Sequence, residues 1–368
     1  MNKGRHVCLD LLRIISMIMI VTLHFINKGG LQDIFDMHSI NYWAVKLIYN
    51  MSLVAVNCYV LISGYFLVNS KFKLKNIVLL WGEALFWSVG IMLVFIIAHR
   101  PIGGLDMIKS MLPVTMETYW FITAYIIMYT LFPFYNIIIK RIDKRAYQLF
   151  LIILIIVFSL WKSVMPLSEA LKTDGYGIVW LSVLYFIGGY IRIFGLDWSK
   201  RACITVFIIS VLVTVTIKAL LEVIPIPLLN QFASAEGPYG QYNTFTIMIA
   251  SVALFILFEK IDIKNRFVVS AVAEIAPLTL GVYLIHEQLM LRKILWTDII
   301  DCRAIAGSSF FVLYSVRAVV GVFAVCTVLE KVRKELAIKL KITKWLSEKS
   351  FCLEGKIKRY MESEYANE

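Results

Sequence analysis

The stretch Arg5–Phe25, RHVCLDLLRIISMIMIVTLHF, decides how the chain is to be read. It has a basic start followed by an apolar run long enough to cross a bilayer as a helix, which takes about 20 residues. Asp10, Arg13 and His24 interrupt that run. An acidic or basic group near the centre of a span costs roughly 2.5–3.5 kcal/mol. Such groups turn toward the interior of a helix bundle and mark functional sites by default. Helical geometry places them relative to one another. Arg13 and His24 are eleven steps apart, about 1100°, so they lie only about 20° apart around the helix and about 16 Å apart along it. Asp10 precedes Arg13 by three residues and neighbours it on the same face. One stripe therefore carries a carboxylate, a guanidinium and an imidazole. A cleaved leader would also start basic and apolar. Here, however, Asp10 and Arg13 break the apolar stretch and no small-residue cleavage pattern follows Phe25, so the segment is expected to remain as a span.

The rest of the chain repeats the length of that run. Of 368 residues, 60% are apolar and 17% charged, with mean hydropathy +0.77. Soluble domains have about 45–50% apolar and about 25% charged residues. This balance excludes a soluble enzyme, a disordered protein and a nucleic-acid-binding module. Ten spans are predicted: Val7–Ile26, Ala44–Val68, Ile77–Ala98, Tyr119–Ile139, Tyr147–Met165, Gly177–Phe194, Ala202–Leu221, Tyr242–Phe258, Ala271–Leu291 and Ile305–Leu329. Pro133 and Pro277 fall within or near the start of spans, where membrane helices tolerate them. The expected fold is all-α, a polytopic integral-membrane bundle of about ten helices formed by residues 1–330. Residues 331–368 are expected to form a basic tail. Its first half, KELAIKLKITKWL, reads as an amphipathic helix on the inner leaflet.

The net charge of +12 is mostly topology. One alternating set of connections holds Lys3 and Arg5, Lys71, Lys73 and Lys75, Lys140 to Arg145, Arg192 to Arg201, Lys260 to Arg266 and the tail, 25 of the 37 Lys and Arg residues. The other set, which includes Lys28, Lys172, Arg292 and Arg303, holds nine. Positive charge collects on the cytoplasmic side, so both termini are expected there, in a multi-pass protein of the cell membrane. The charges punctuate apolar runs and form no basic face, which argues against nucleic acid as a partner. Six scattered cysteines show no paired spacing, so neither a metal site nor a disulfide framework is expected.

Other spans bring polar groups to matching depths. Glu83 is predicted near the level of Arg13, as a counter-ion for Arg13 or Arg317, and His286, followed by Glu287, near the level of His24. Asn57 and Ser63 add polarity to the second span. Trp43, Trp120 and Trp296 sit at outer span ends, where an aromatic belt is the ordinary explanation. Lys71, Lys73 and Lys75 make a compact cluster after the second span, explained by orientation alone or by an anionic, phosphate-bearing ligand.

In order along the chain, these features resemble the membrane-bound acyltransferase-3 family. The opening string has the family's LD-x-LR core and its Arg–His signature at Arg13 and His24. NCYVLISGYFLV (Asn57–Val68) is similar to its second-span F-x-x-SG-(F/Y) segment. YWFITAYIIMYTLFP (Tyr119–Pro133) is similar to its W-F-x-x-A-x-x-x-Y-x-x-x-P span, and LTLGVYLIHEQL (Leu278–Leu289) to its Y-L-x-H span. The resemblance implies an O-acyltransferase that takes an acetyl group from cytoplasmic acetyl-CoA, or another acyl-CoA, to a hydroxyl of a cell-surface glycan or its lipid-linked precursor. It implies His24 as general base or acyl carrier, and Arg13, oriented by Asp10, as the group that binds or polarises the donor. Glu83, His286, Trp120 and Ser63 follow as substrate-binding candidates, and Lys71, Lys73 and Lys75 as holders of the CoA phosphates. The lysines replace the arginines common there in the family, and lysine does not reproduce bidentate phosphate contacts. Two other classes stay open on the residues alone. A glycan or solute transporter would line a path with the intramembrane charges, although the internal repeat of many transporters is absent. A glycan polymerase or ligase usually carries a large outer loop, and the longest outer connections here, Arg100–Thr118 and Glu222–Gln241, are short.

Overall fold

A computed structural model describes residues 6–32, 34–165, 175–224, 226–234, 237–304 and 306–365. Lys3, Arg5, Lys172 and the expected start of the last span at Ile305 lie outside them. The described residues form helices and no strands, and nine of the helices are long and apolar enough to cross a membrane. They are α1 (Val7–Lys28), the broken pair α2 (Ile40–Ser52) and α3 (Val54–Leu67), α4 (Leu74–Ile97), and α6 (Trp120–Arg141) after the short α5 (Gly104–Met111). Next come α7 (Lys144–Ile155), which runs through a π turn into α8 (Trp161–Val164), and, after α9 (Ile178–Phe194), α10 (Lys200–Val223). The last three are α11 (Pro227–Ala233) with α12 (Phe245–Glu259), α13 (Arg266–Ile275) with α14 (Thr279–His286), and, past the one-turn α15 (Leu291–Ile294), α16 (Phe311–Lys339). The sixth predicted span is α9 (Ile178–Phe194), apolar but only 17 residues long.

Helix α1 sits inside the bundle. It packs against α2, α3, α12, α13, α14 and α16, which is why a span carrying three ionisable residues is tolerated. Helices α7, α10 and α16 form the apolar outside, with most of their residues away from the core. The tightest crossing is α3 on α9, and glycine makes it possible. A Cβ on Gly64 would collide with the Tyr185 backbone, and one on Gly188 with the Leu61 carbonyl. Small residues let membrane helices approach backbone to backbone. A polar knot locks the same region. Asn57 on α3 donates to the Tyr242 carbonyl at 2.8 Å and accepts from the Trp180 indole at 3.0 Å.

Two breaks shape the site. Pro277 divides the ninth span into α13 and α14, and the Thr279 hydroxyl takes up the Ala276 carbonyl at 2.9 Å. After α1 the chain turns through Gly30, whose φ of +62° suits glycine, and Arg303 donates to the Gly29 and Gly30 carbonyls. At the C-terminal end, the stretch expected to be one amphipathic helix is a junction. Helix α16 continues to Lys339, Lys341 adopts φ +58°, and α17 (Ile342–Tyr365) folds back along α4.

Candidate active site

Asp10 and Arg13 form the neighbouring pair that helical spacing predicts, with Nη1 of Arg13 donating to Oδ1 of Asp10 at 3.0 Å. The Arg13 guanidinium also lies over the Phe66 ring, 5.8 Å from its centroid. Arg13 borders a cavity of about 200 Å³ with Ser63, Tyr125 and Tyr59. Ser63 donates to the Tyr59 carbonyl at 3.0 Å, and its hydroxyl lies 3.3 Å from that of Tyr125.

At the other end of the stripe, His24 meets His286 of α14. His24 Nδ1 is 2.8 Å from His286 Nε2, and His286 Nδ1 is 2.5 Å from the Val282 carbonyl. These contacts assign the protons. A carbonyl only accepts, so His286 carries its proton on Nδ1. In the neutral ring, Nε2 of His286 is then an acceptor, and His24 Nδ1–H donates to it. This leaves a lone pair on Nε2 of His24, the nitrogen not engaged by protein. A second group orients the same ring: Oε2 of Glu287 lies 3.4 Å from His24 Nδ1, while Oε1 of Glu287 takes Arg292 at 2.8 Å and faces Lys28 at 4.0 Å. The arrangement is that of an oriented base, with a histidine holding the tautomer and a carboxylate placed to stabilise the imidazolium. Tertiary contacts hold it rigid. The Tyr119 hydroxyl ties the start of α6 to the Leu284 carbonyl at 2.9 Å, and buried Trp296 lies edge-on to His286 and Phe25.

His24 lines a second, small cavity of about 20 Å³ with Trp120, Tyr242 and Tyr283. Tyr59, Phe121 and Leu280 border both this cavity and the Arg13 cavity. The Arg13 cavity in turn shares Leu80 and Tyr125 with a third, of about 280 Å³, that reaches Asn76 and Tyr129 beside the lysine cluster. The three hollows thus follow one another from the Lys75 end of the bundle, past Arg13, to His24.

A family model described as an acyltransferase domain, of acyltransferase family 3, matches residues 6–331. The chain belongs to the acyltransferase-3 family. Neither a curated protein nor a solved structure matches it.

The remaining predicted residues of this acyltransferase-3 protein fall into two groups. Trp120 is at the His24 cavity, where it stacks on Tyr242 at 6.0 Å and meets Tyr176 at 4.8 Å. Lys71 and Lys73, between α3 and α4, and Lys75, in the first turn of α4, are exposed. Glu83 departs from its predicted pairing. Its ion-pair partner is Arg333 at 3.6 Å, not Arg13, which is held by Asp10, nor Arg317, which is exposed on α16. Arg333 also clamps Glu330, which is 1% exposed and accepts the Trp87 indole at 2.8 Å. Glu83 therefore belongs to a knot joining α4 to α16. Arg333 was hidden from sequence because it follows the predicted end of the span, although its i, i+3 spacing from Glu330 was visible. The spans also concealed Tyr59 and Tyr283, which read there as ordinary apolar filling. Glu287 carried a signal, an acid directly after a span-end histidine. Among the described residues, no group of three His, Cys, Asp or Glu side chains is arranged to hold a metal ion.

Proposed function

We propose that this membrane acyltransferase moves an acyl group, in the simplest case acetyl, from acyl-CoA on the cytoplasmic side to a hydroxyl of a cell-surface glycan or its lipid-linked precursor. The observation that carries this reading is the His24–His286 contact, which leaves Nε2 of His24 as a free base in a cavity that shares the walls of Tyr59, Phe121 and Leu280 with the Arg13 cavity. The orientation comes from the charge partition between connections, with both termini cytoplasmic and residues 1–330 as the catalytic membrane domain. The exposed lysines, Lys71, Lys73 and Lys75, then lie where the CoA phosphates arrive. Arg13, oriented by Asp10, polarises the donor within the Arg13 cavity, and Ser63 lines its path. His24 Nε2 takes the proton of the acceptor hydroxyl as that oxygen attacks the thioester carbonyl, and returns it to the departing thiolate. A positioned base of this kind contributes about 10²–10⁴-fold. On the acceptor side, the cluster of Trp120, Tyr176 and Tyr242 offers flat apolar rings of the kind that pack against the face of a sugar.

The test is CoA release from labelled acetyl-CoA by purified protein in nanodiscs, with and without glycan from the producing cell surface. Acceptor-dependent release that disappears in His24→Ala, with expression and insertion unchanged, is the expected result. Near-normal acyl transfer by His24→Ala removes His24 from the mechanism. Movement of a glycan or solute without any use of CoA would favour a transporter instead.

A further inference from the structure

At the end of α1 remote from Arg13, two cations converge on one buried carboxylate. Glu287 is 6% exposed, and its Oε1 accepts from Nη1 of Arg292 at 2.8 Å and faces Nζ of Lys28 at 4.0 Å. Its Oε2 faces His24 at 3.4 Å. Lys28 follows His24 by four residues, so it lies on the same face of α1, about 6 Å farther along. Its side chain is exposed, and at 4.0 Å its ammonium is too far from Glu287 to hydrogen-bond. Arg292 is half-buried, and among the described residues its guanidinium hydrogen-bonds through Nη1 alone, to Glu287. It also lies within electrostatic reach of Tyr283, a wall of the His24 cavity. Both cations belong to the connections that the charge partition puts outside. Once His24 takes a proton, three positive charges share one carboxylate. Charge withdrawn from water calls for a partner. The unengaged N–H groups of Lys28 and Arg292 are donors that an incoming anion can use.

We infer that Lys28 and Arg292 form an anion subsite at the acceptor entrance, selecting acceptors that carry a carboxylate or phosphate close to the hydroxyl to be acylated. The inference rests on the acyl-transfer reading above and adds the acceptor's charge to it. The anion sits between an ammonium, which acts as a point charge, and a guanidinium, whose planar fork matches a carboxylate or phosphate. With the accepting hydroxyl at Nε2 of His24, the spacing along α1 sets the anion about 6 Å away, roughly the breadth of a sugar ring. The bound anion also offsets Lys28 and Arg292 as His24 becomes imidazolium, so that Glu287 stabilises the ring without competition. Two sources supply this chemistry, an acidic sugar and the phosphate that joins a glycan precursor to its lipid.

The experiment measures CoA release by the full chain in nanodiscs with two matched pairs of acceptors. One pair is a uronic-acid oligosaccharide and its carboxyl-reduced form. The other is an oligosaccharide on a polyprenyl diphosphate and the same oligosaccharide on the uncharged polyprenol. The expected result is a kcat/KM at least about tenfold higher for the charged member of one pair, and the pair that shows it names the source. That ratio should fall toward one in Lys28→Gln and in Arg292→Gln, and in wild type it should shrink as salt is raised. A ratio cancels any loss that Arg292→Gln causes through Glu287, because both members of a pair share it. Lys28→Glu, a change at an exposed position, should favour the neutral member. Equal kcat/KM within both pairs, or a charge preference that survives both glutamine variants, overturns the anion subsite and leaves the acyltransferase reading standing. Absence of CoA release by wild type with every acceptor overturns both.

Discussion

His286 is the residue whose replacement tests the proton assignment most directly. In His286→Leu the ring is exchanged for an apolar side chain of similar volume. The helix is preserved, because the Val282 carbonyl that His286 caps is also an acceptor in α14. What is lost is the acceptor 2.8 Å from His24 Nδ1. Leaving a buried donor without a partner costs about 1–3 kcal/mol. That cost falls on the tautomer with a free Nε2, the form that acts as base. At about 1.36 kcal/mol per tenfold change, the active form is depleted and kcat falls by roughly 5- to 150-fold. Glu287, at 3.4 Å, compensates in part and keeps the effect below that of removing His24 itself. His286→Gln restores an acceptor at nearly the same reach, and should recover most of the loss. The assay is steady-state CoA release in nanodiscs, with acyl-CoA binding measured separately to show that the donor site is intact. Full activity in His286→Leu, or a glutamine variant as impaired as the leucine one, would refute the relay.

Other perturbations probe the donor site, the acceptor site and the frame. Arg13→Ala should raise the KM for acyl-CoA by at least about tenfold with the fold retained, and an unchanged donor dependence in steady-state kinetics would clear Arg13 of that role. Trp120→Ala should raise the acceptor KM and leave the donor KM alone, a split read from the same assay run at varied glycan. Glu330→Ala leaves Arg333 without its buried partner, and breaking such a pair costs about 3–5 kcal/mol; thermal unfolding in detergent should show a clear drop. Gly64→Leu should fail to fold or lose several degrees of thermal stability, because its side chain would meet the Tyr185 backbone, whereas Gly90→Ala, with nothing within 4 Å, should be neutral by the same measurement.

The single-helix geometry was legible from the chain because it depends only on the helical period. Asp10 beside Arg13, and His24 farther along on the same stripe, follow from spacing. So do the spans, since a bilayer demands runs of apolar residues wherever they occur. The partner of each group was harder to read, because helices far apart in sequence meet at a rotation no local period encodes. His286 was placed at the right depth, and its facing of His24 is a property of how α14 packs on α1. Glu83 was given the wrong partner, because α16 runs ten residues past its apolar stretch and delivers Arg333. Tyr59 and Tyr283 had no signature at all, since a tyrosine in an apolar run is seen to line a cavity only once its neighbours are in place.

Composition and helical period alone make this an all-helical membrane protein and single out Arg13 and His24, because a charge in a bilayer is conspicuous wherever the chain folds. Packing fixes the rest: which nitrogen of His24 is free, and which cavities share walls. Those are statements about distances between helices, and distance between helices is set by packing, beginning with the backbone contact that Gly64 and Gly188 permit between α3 and α9.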